Sequence, residues 1–334
     1  MAVSYRRERI DRGIKARCDD IFALSSYREV LYLVLPRVLP VTALLILPMV
    51  LEIYWTKVIV LSCTIALLTL SWDLIYSTGM ISIGQAWFFG VGGYIAGALN
   101  YYFGLSPLFT IPIATIGGAI FCTLLLAPVL RLRGIYFAMI TFALGLVFMR
   151  IIEATGILGG TVGLSGLSPL PNLWVEVYVI IAAVLLGLFV FRRVINTDYG
   201  LVLRGIGQND RAVMSGGINI YRYKAQSLFI GSAVAAFAGA FTTHYIQYVG
   251  LPAFAMDYSI LPIASVVVGG AGTFAGGVLG AFILVPLSEM LRGFATLRIV
   301  FYCLILVGFI VFKPEGLMNY FQRKYHQFER WIEV

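Results

Sequence analysis

Charge is what this chain has least of. Asp, Glu, Lys and Arg make up only 12% of its 334 residues, against about a quarter in an ordinary soluble domain. Apolar residues reach 60%, more than the interior of a soluble globule of this length has room to bury. Histidine is nearly missing, with His244 and His326 far apart. The four cysteines, at 18, 63, 122 and 303, show no CxxC spacing and no nearby histidine, so they read as small packing residues. Also missing are a GxxxxGK[ST] phosphate cradle, an HExxH zinc helix and a GxSxG elbow, since "GLSGL" at 163–167 has the wrong spacing. Without a nucleophile-base pair, a metal cluster or paired acids, the chain is expected to be no enzyme and to need no cofactor or metal.

What it has instead is apolar length. Ten runs, near 31–53, 58–76, 80–103, 107–130, 135–152, 173–191, 225–248, 259–274, 275–291 and 297–313, approach or exceed the roughly 20 residues that span a bilayer core. Each is expected to be helical, because a helix satisfies its own backbone where there is no water. The fold class is therefore all-α, a polytopic transmembrane bundle of about ten helices. Eight or nine are the alternatives, because the last runs also fit one crossing plus a re-entrant hairpin.

The net charge of +8 does not point to nucleic acid, since no soluble domain exists to present a basic face. Lys and Arg collect instead in connections: an arm at 1–30, "RLRG" at 131–134, the segment 192–224 and the tail "RKYHQFER" at 323–330. Those segments belong in the cytoplasm, with the lipid headgroups as neighbours. Between Arg150 and Arg192 there is no Lys or Arg, which puts the loop around 153–172 outside. The resulting division is a cytoplasmic arm at 1–30, a transmembrane domain at 31–317 and a cytoplasmic tail at 318–334. The arm shows no apolar signal-peptide core and reads as a surface-lying segment, with a helix as one form. A ten-helix path leaves Arg292 and Arg298 outside, against the charge rule.

Two regions are rich in glycine, "STGMISIGQAWFFGVGGYIAG" at 77–97 and "VVGGAGTFAGGVLGAF" at 267–282. Gly93 and Gly97 form one GxxxG, and Gly272, Gly276 and Gly280 form two in series. Such spacing either lets helix backbones touch or marks helices broken beside a substrate path. Ionisable groups in or near the runs are few: Arg37, Glu52, Asp73, Arg150, Glu153, Glu176, His244, Asp257 and Glu289. Most stand near run ends, but Asp73 is followed by Thr78, Ser82 and Gln85 and is a candidate for a polar path. These acids are too sparse for a proton relay, so a self-powered carrier is disfavoured.

A polar island, "TDYGLVLRGIGQNDRAVMSGGINIYRYK" at 197–224, interrupts the apolar chain. It fits an amphipathic helix over 201–215, with Leu201, Ile206, Val213 and Met214 turned inward and Arg204, Asn209 and Asp210 projecting. Gly216-Gly217 would stop it. A structured segment of this length exceeds what topology requires and suits docking into a partner's groove.

Six strings in register resemble the branched-chain amino-acid ABC permease family, LivM-like more than LivH-like. "SIGQAWFFGVGGYIAG" resembles its "SLGHAAFFGIGAY" type motif, and "RLRGIYFAMITFALG" its "RLRGxYFAxxTLA" segment. "GGTVGLSGL" is similar to the external "GGTNGLxGI" loop, and "GGINIYRYK" closes what looks like the cytoplasmic coupling loop. "VVVGGAGTFAGGVLGAF" and "FKPEGL" resemble the final motifs. The resemblance runs from about 70 to 317. It departs at Gln85, where the family often has His, at Val162, where it often has Asn, and in the coupling loop, which lacks a double acid and an Ala-Ala pair.

The resemblance implies one permease subunit of an ATP-driven importer. Its partners would be two cytoplasmic ATPases, a LivH-like second permease and an extracytoplasmic solute-binding protein. Arg204, Gln208, Asn209, Asp210, Arg211, Ala212 and Gly217 would couple to the ATPases. Asp73, Thr78, Ser82, Gln85, Gly90, Thr161 and Gly270 would line the path of a small polar solute such as a branched-chain amino acid. The alternative is a stand-alone carrier or channel for small solutes such as urea or amides.

Overall fold

The structure, a computed structural model, describes residues 5–9, 27–132, 134–294, 304, 307–309, 311, 316–326 and 329–333. Its apolar runs are helical as expected. They form α1 (Tyr27–Val50), α2 (Ile53–Tyr76), α3 (Gln85–Phe103), α4 (Pro107–Leu126), α5 (Ile135–Thr155), α6 (Leu173–Val194), α8 (Ile220–Ile246), α9 (Asp257–Gly269) and α10 (Ala275–Met290). Between α6 and α8 the polar island forms α7 (Asp198–Ser215), and near the end of the chain lies α11 (Leu317–His326). Among the described residues, seven helical segments, those of α2, α4, α5, α6, α8, α9 and α10, are long and apolar enough to cross a membrane. The run at 297–313 falls mostly outside the described residues.

Helix α2 is apolar on all sides, and 94% of its most apolar window is buried. A helix with no polar face belongs at the centre of a bundle. For α5 the same share is only 28%, so its remaining apolar surface is left to lipid or to another chain. Because lipid tails are as apolar as leucine, helices in a bilayer associate through close packing of small residues. That is how α3 meets α8: a Cβ on Gly92 would collide with the backbone of Ala236, and one on Gly239 with the carbonyl of Phe89. Asn219 starts α8 as its cap, its Oδ1 accepting from the N–H groups of Tyr221 and Arg222.

Two helices depart from their expected bounds. The run at 80–103 becomes helical only at Gln85; residues 80–84 are non-helical and turn back along the last turn of α2. There Trp72 Nε1 donates to the Ser82 carbonyl at 2.7 Å and Ser71 Oγ to Gln85 Oε1 at 3.0 Å. The run at 259–274 ends at Gly269, where Gly270 (φ 112°) and Gly272 (φ 77°) carry the chain through a turn into α10. Gly272 is therefore not on the helix face with Gly276 and Gly280. Those two lie on α10 against Gly269 and Ser265 of α9. Gly93 and Gly97 do share a face of α3, against Thr243 and Val249.

At the end of the bundle opposite α7, two-residue strands β2 (Leu164–Ser165) and β3 (Tyr248–Val249) pair antiparallel. In the arm, Tyr5–Arg9 is a strand paired antiparallel with Glu329–Glu333, not the helix entertained from the sequence. Extended pairing with the chain's other end supplies those backbone groups with partners.

Candidate functional site

α7 is two helical pieces joined at Asn209, whose φ of −154° and ψ of 93° are extended. Asn209 is a cap for the second piece, its Oδ1 accepting from Ala212 N at 3.2 Å. Gly217, in the left-handed region at φ 79°, ends the element, with its N–H on the Met214 carbonyl. The inward face is Gly200, Leu203 and Ile206, all buried. Leu201 and Met214, expected inward, are exposed by 62% and 39%. The helix begins three residues earlier than the pattern predicts, and the extended Asn209 changes the phase of the second piece.

Arg204, Gln208, Asn209, Arg211 and Ala212 are exposed, and Asp210 is half-buried. Positions 201, 204 and 208 fall at the three- and four-residue steps of one face of the first piece. Leu201 thus joins a row of polar groups as an apolar knob that sequence reasoning had assigned to the interior. Tyr199 anchors the start of α7 against Tyr223 of α8, ring centroids 5.5 Å apart, and burial pushes its phenol pKa up.

The path candidates divide into groups. Asp73, Thr78, Ser82 and Gln85 are brought together where α2 ends and α3 begins, all essentially fully buried. The Asp73 carboxylate accepts from Gly272 N at 2.7 Å and Phe274 N at 2.8 Å, holding the turn before α10. Thr78 Oγ1 donates to the Ile75 carbonyl, and Ser82 Oγ accepts from Gly84 N. Gln85 Nε2 has no partner among the described residues. Gly90 is where α3 receives the ring of Phe254, and Gly270 begins the turn that Asp73 holds. Thr161 is apart from them, exposed in the loop near β2, where Tyr248 Oη donates to the neighbouring Val162 carbonyl.

Beside Gln85 lies a cavity of about 60 Å³ lined by Gly84, Ala86, Trp87, Thr141, Gly145 and Ser259. Its volume suits a few waters or one small polar group, at roughly 10–15 Å³ per water. Ser259 Oγ accepts from Ala86 N at 3.0 Å, and Thr141 Oγ1 accepts from Ile83 N at 3.2 Å, so the broken start of α3 is held from α9 and α5. Sequence reading missed Thr141, Ser259 and Trp87. Thr141 stands within the "RLRGIYFAMITFALG" string, which was the only signal for it.

Helices of membrane-crossing length, with a surface helix seated on their bundle, describe a multi-pass helical membrane protein. The chain belongs to the family described as branched-chain amino acid transport system / permease component, which matches residues 54–312. It is 28% identical over 273 residues to the "High-affinity branched-chain amino acid transport system permease protein LivM" of Escherichia coli, covering 72% of this chain and 64% of that one. The protein of the same name in Salmonella typhimurium gives the same identity and coverage. A "Probable branched-chain amino acid transport permease protein LivH" of Methanocaldococcus jannaschii is 27% identical over 293 residues, 78% of this chain and 90% of that one. The LivM-like resemblance is thus borne out, although the match spans just under two thirds of the length of the two bacterial relatives. No solved structure matches the chain.

Proposed function

We propose that this chain is the membrane-spanning permease subunit of an ATP-driven importer for branched-chain or similar small amino acids, in the inner membrane of a prokaryote. The observation that carries it is α7, a kinked surface helix presenting Leu201, Arg204, Gln208 and Ala212 outward while Leu203 and Ile206 tie it to the bundle. Two cytoplasmic ATPases would grip that face, and a LivH-like second permease would cover apolar surface left open on α5. A solute-binding protein would deliver substrate at the β2–β3 end. Nucleotide then biases a two-state rocking of the bundle. Gln85, Thr141 and Ser259, with the other path candidates, would meet the solute as it passes the break before α3.

Ten crossings are part of this reading. α10 ends opposite α7, where Tyr54 donates to Glu289 and Glu289 pairs with Arg292 at 2.8 Å. Gly316 is back on the α7 side against Gly270. One further crossing between Met290 and Gly316, the tenth, would put both chain ends with α7 in the cytoplasm.

The test is reconstitution of the permease pair with its ATPases in liposomes. Uptake should require ATP, the ATPases and the binding protein together. Uphill accumulation of amino acid by the permease chains alone would instead establish the stand-alone carrier.

A further inference from the structure

One contact between α7 and the bundle is made by backbone. A Cβ on Gly207 would lie 2.6 Å from the Ser77 carbonyl oxygen and 3.2 Å from Gly79 N, and one on Gly79 3.1 Å from Gly207 Cα. One edge of Gly207 stays exposed, but its Cα abuts the turn between α2 and α3 with no side chain as a cushion. Gly79 takes φ 73°, a conformation that glycine adopts at no steric cost.

From that turn the connection continues in two short steps. Ser77 N–H donates to the Asp73 carbonyl at 3.0 Å. The carboxylate of the same Asp73 holds Gly272 N and Phe274 N, the turn between α9 and α10. Phe274 sits at φ 50°, a left-handed conformation costly for a bulky residue, with its side chain buried against Phe191. Such a conformation persists only where surroundings hold it, and here the holder is Asp73. The ties at Tyr199, Leu203 and Ile206 are side-chain packing, which yields by rotamer change. Touching backbones do not yield that way.

We propose that Gly207 and Asp73 are positioning residues of the transport cycle. Movement of α7 is transmitted through the Ser77–Gly79 turn to Asp73, and from Asp73 to the α9–α10 turn, which shifts between two arrangements as α7 is driven. The inference rests on the importer reading. It assigns Asp73, otherwise a candidate for meeting solute, to the transmission of motion.

The test uses the assembled transporter in liposomes, with the four native cysteines replaced by alanine and Ala271→Cys, exposed in the α9–α10 turn, as reporter. The rate at which a thiol reagent labels Ala271→Cys is read with and without ATP, beside amino-acid uptake per ATP hydrolysed. In the parent, ATP should change labelling by about threefold or more. Gly207→Ala should abolish that change and lower uptake per ATP by about tenfold. Alanine is the better helix former, so the loss would reflect the contact and not a weakened α7. Asp73→Asn, which keeps one acceptor oxygen, should retain part of the ATP response, and Asp73→Ala none. These two keep the question answerable should Gly207→Ala fail to assemble. If the parent transports but labelling ignores ATP, or if the variants respond as the parent does, the inference is overturned. A parent that shows no ATP-driven uptake overturns the importer reading itself, and this inference with it.

Discussion

A hydroxyl in an apolar run is a poor guide to a polar path, because it can satisfy itself one turn back along its own helix. Ser62, Thr64, Thr69, Thr115, Thr242, Thr243 and Ser265 all donate to the carbonyl four residues earlier. Residue type alone does not distinguish them from Thr141 or Ser259, which face the cavity beside Gln85. Asp73 was visible for the opposite reason: a carboxylate has no such local escape at depth and must find donors elsewhere. Its donors, two N–H groups about 200 residues downstream, were not readable. Leu201 is the clearest residue-scale misreading, since periodicity alone cannot say which of two apolar rows faces the bundle. An exposed leucine flanked by Arg204 is also the best candidate for an apolar anchor in a partner's groove. Leu201→Asp should therefore cut recovery of ATPase with the permease by about tenfold or more. Leu201→Met, similar in size, should leave recovery near normal in the same co-purification.

At the scale of elements, the helices were legible because only a helix closes its own hydrogen bonds in lipid. Their breaks were not. Glycine serves both a close helix contact and a turn, so the strings at 77–97 and 267–282 fit either reading until backbone angles are known. Both uses occur: Gly272 turns the chain at φ 77°, while Gly92 and Gly239 let α3 and α8 touch. Because that contact is backbone on backbone, a side chain there must push the helices apart. Gly239→Val should destabilise the bundle by about 1–3 kcal/mol or more, the usual cost of overpacking. Gly117→Ala, whose Cβ would meet only Ile95 at 4.0 Å, should be neutral or slightly favourable. Unfolding of the purified variants in mixed micelles by denaturant would rank them, and equal midpoints would contradict the packing described.

The whole molecule has two ends of different character, and the proposed orientation rests on their charge. α7 and the turns beside it hold Arg204, Arg211 and Arg222, whereas the stretch from 151 to 191, including the loop that pairs with β3, has no Lys or Arg. Short basic connections stay in the cytoplasm, which supports the proposed placing of α7 there and of the β2–β3 pair outside. Arg292, at the far end, was one of two charges that fitted poorly; the other, Arg298, lies outside the described residues. The pairing of Arg292 with Glu289, itself bonded to Tyr54, supplies a partner there. Impermeant thiol labelling in a cysteine-free background decides the matter. Val162→Cys, at a position 76% exposed near the β2–β3 pair, should react in intact spheroplasts, and Arg211→Cys only in inverted vesicles. The reverse pattern would put α7 outside, beyond reach of any nucleotide-driven partner. The proposed coupling through Gly207 and Asp73 would then have nothing to drive it, while the helical packing would stand unchanged.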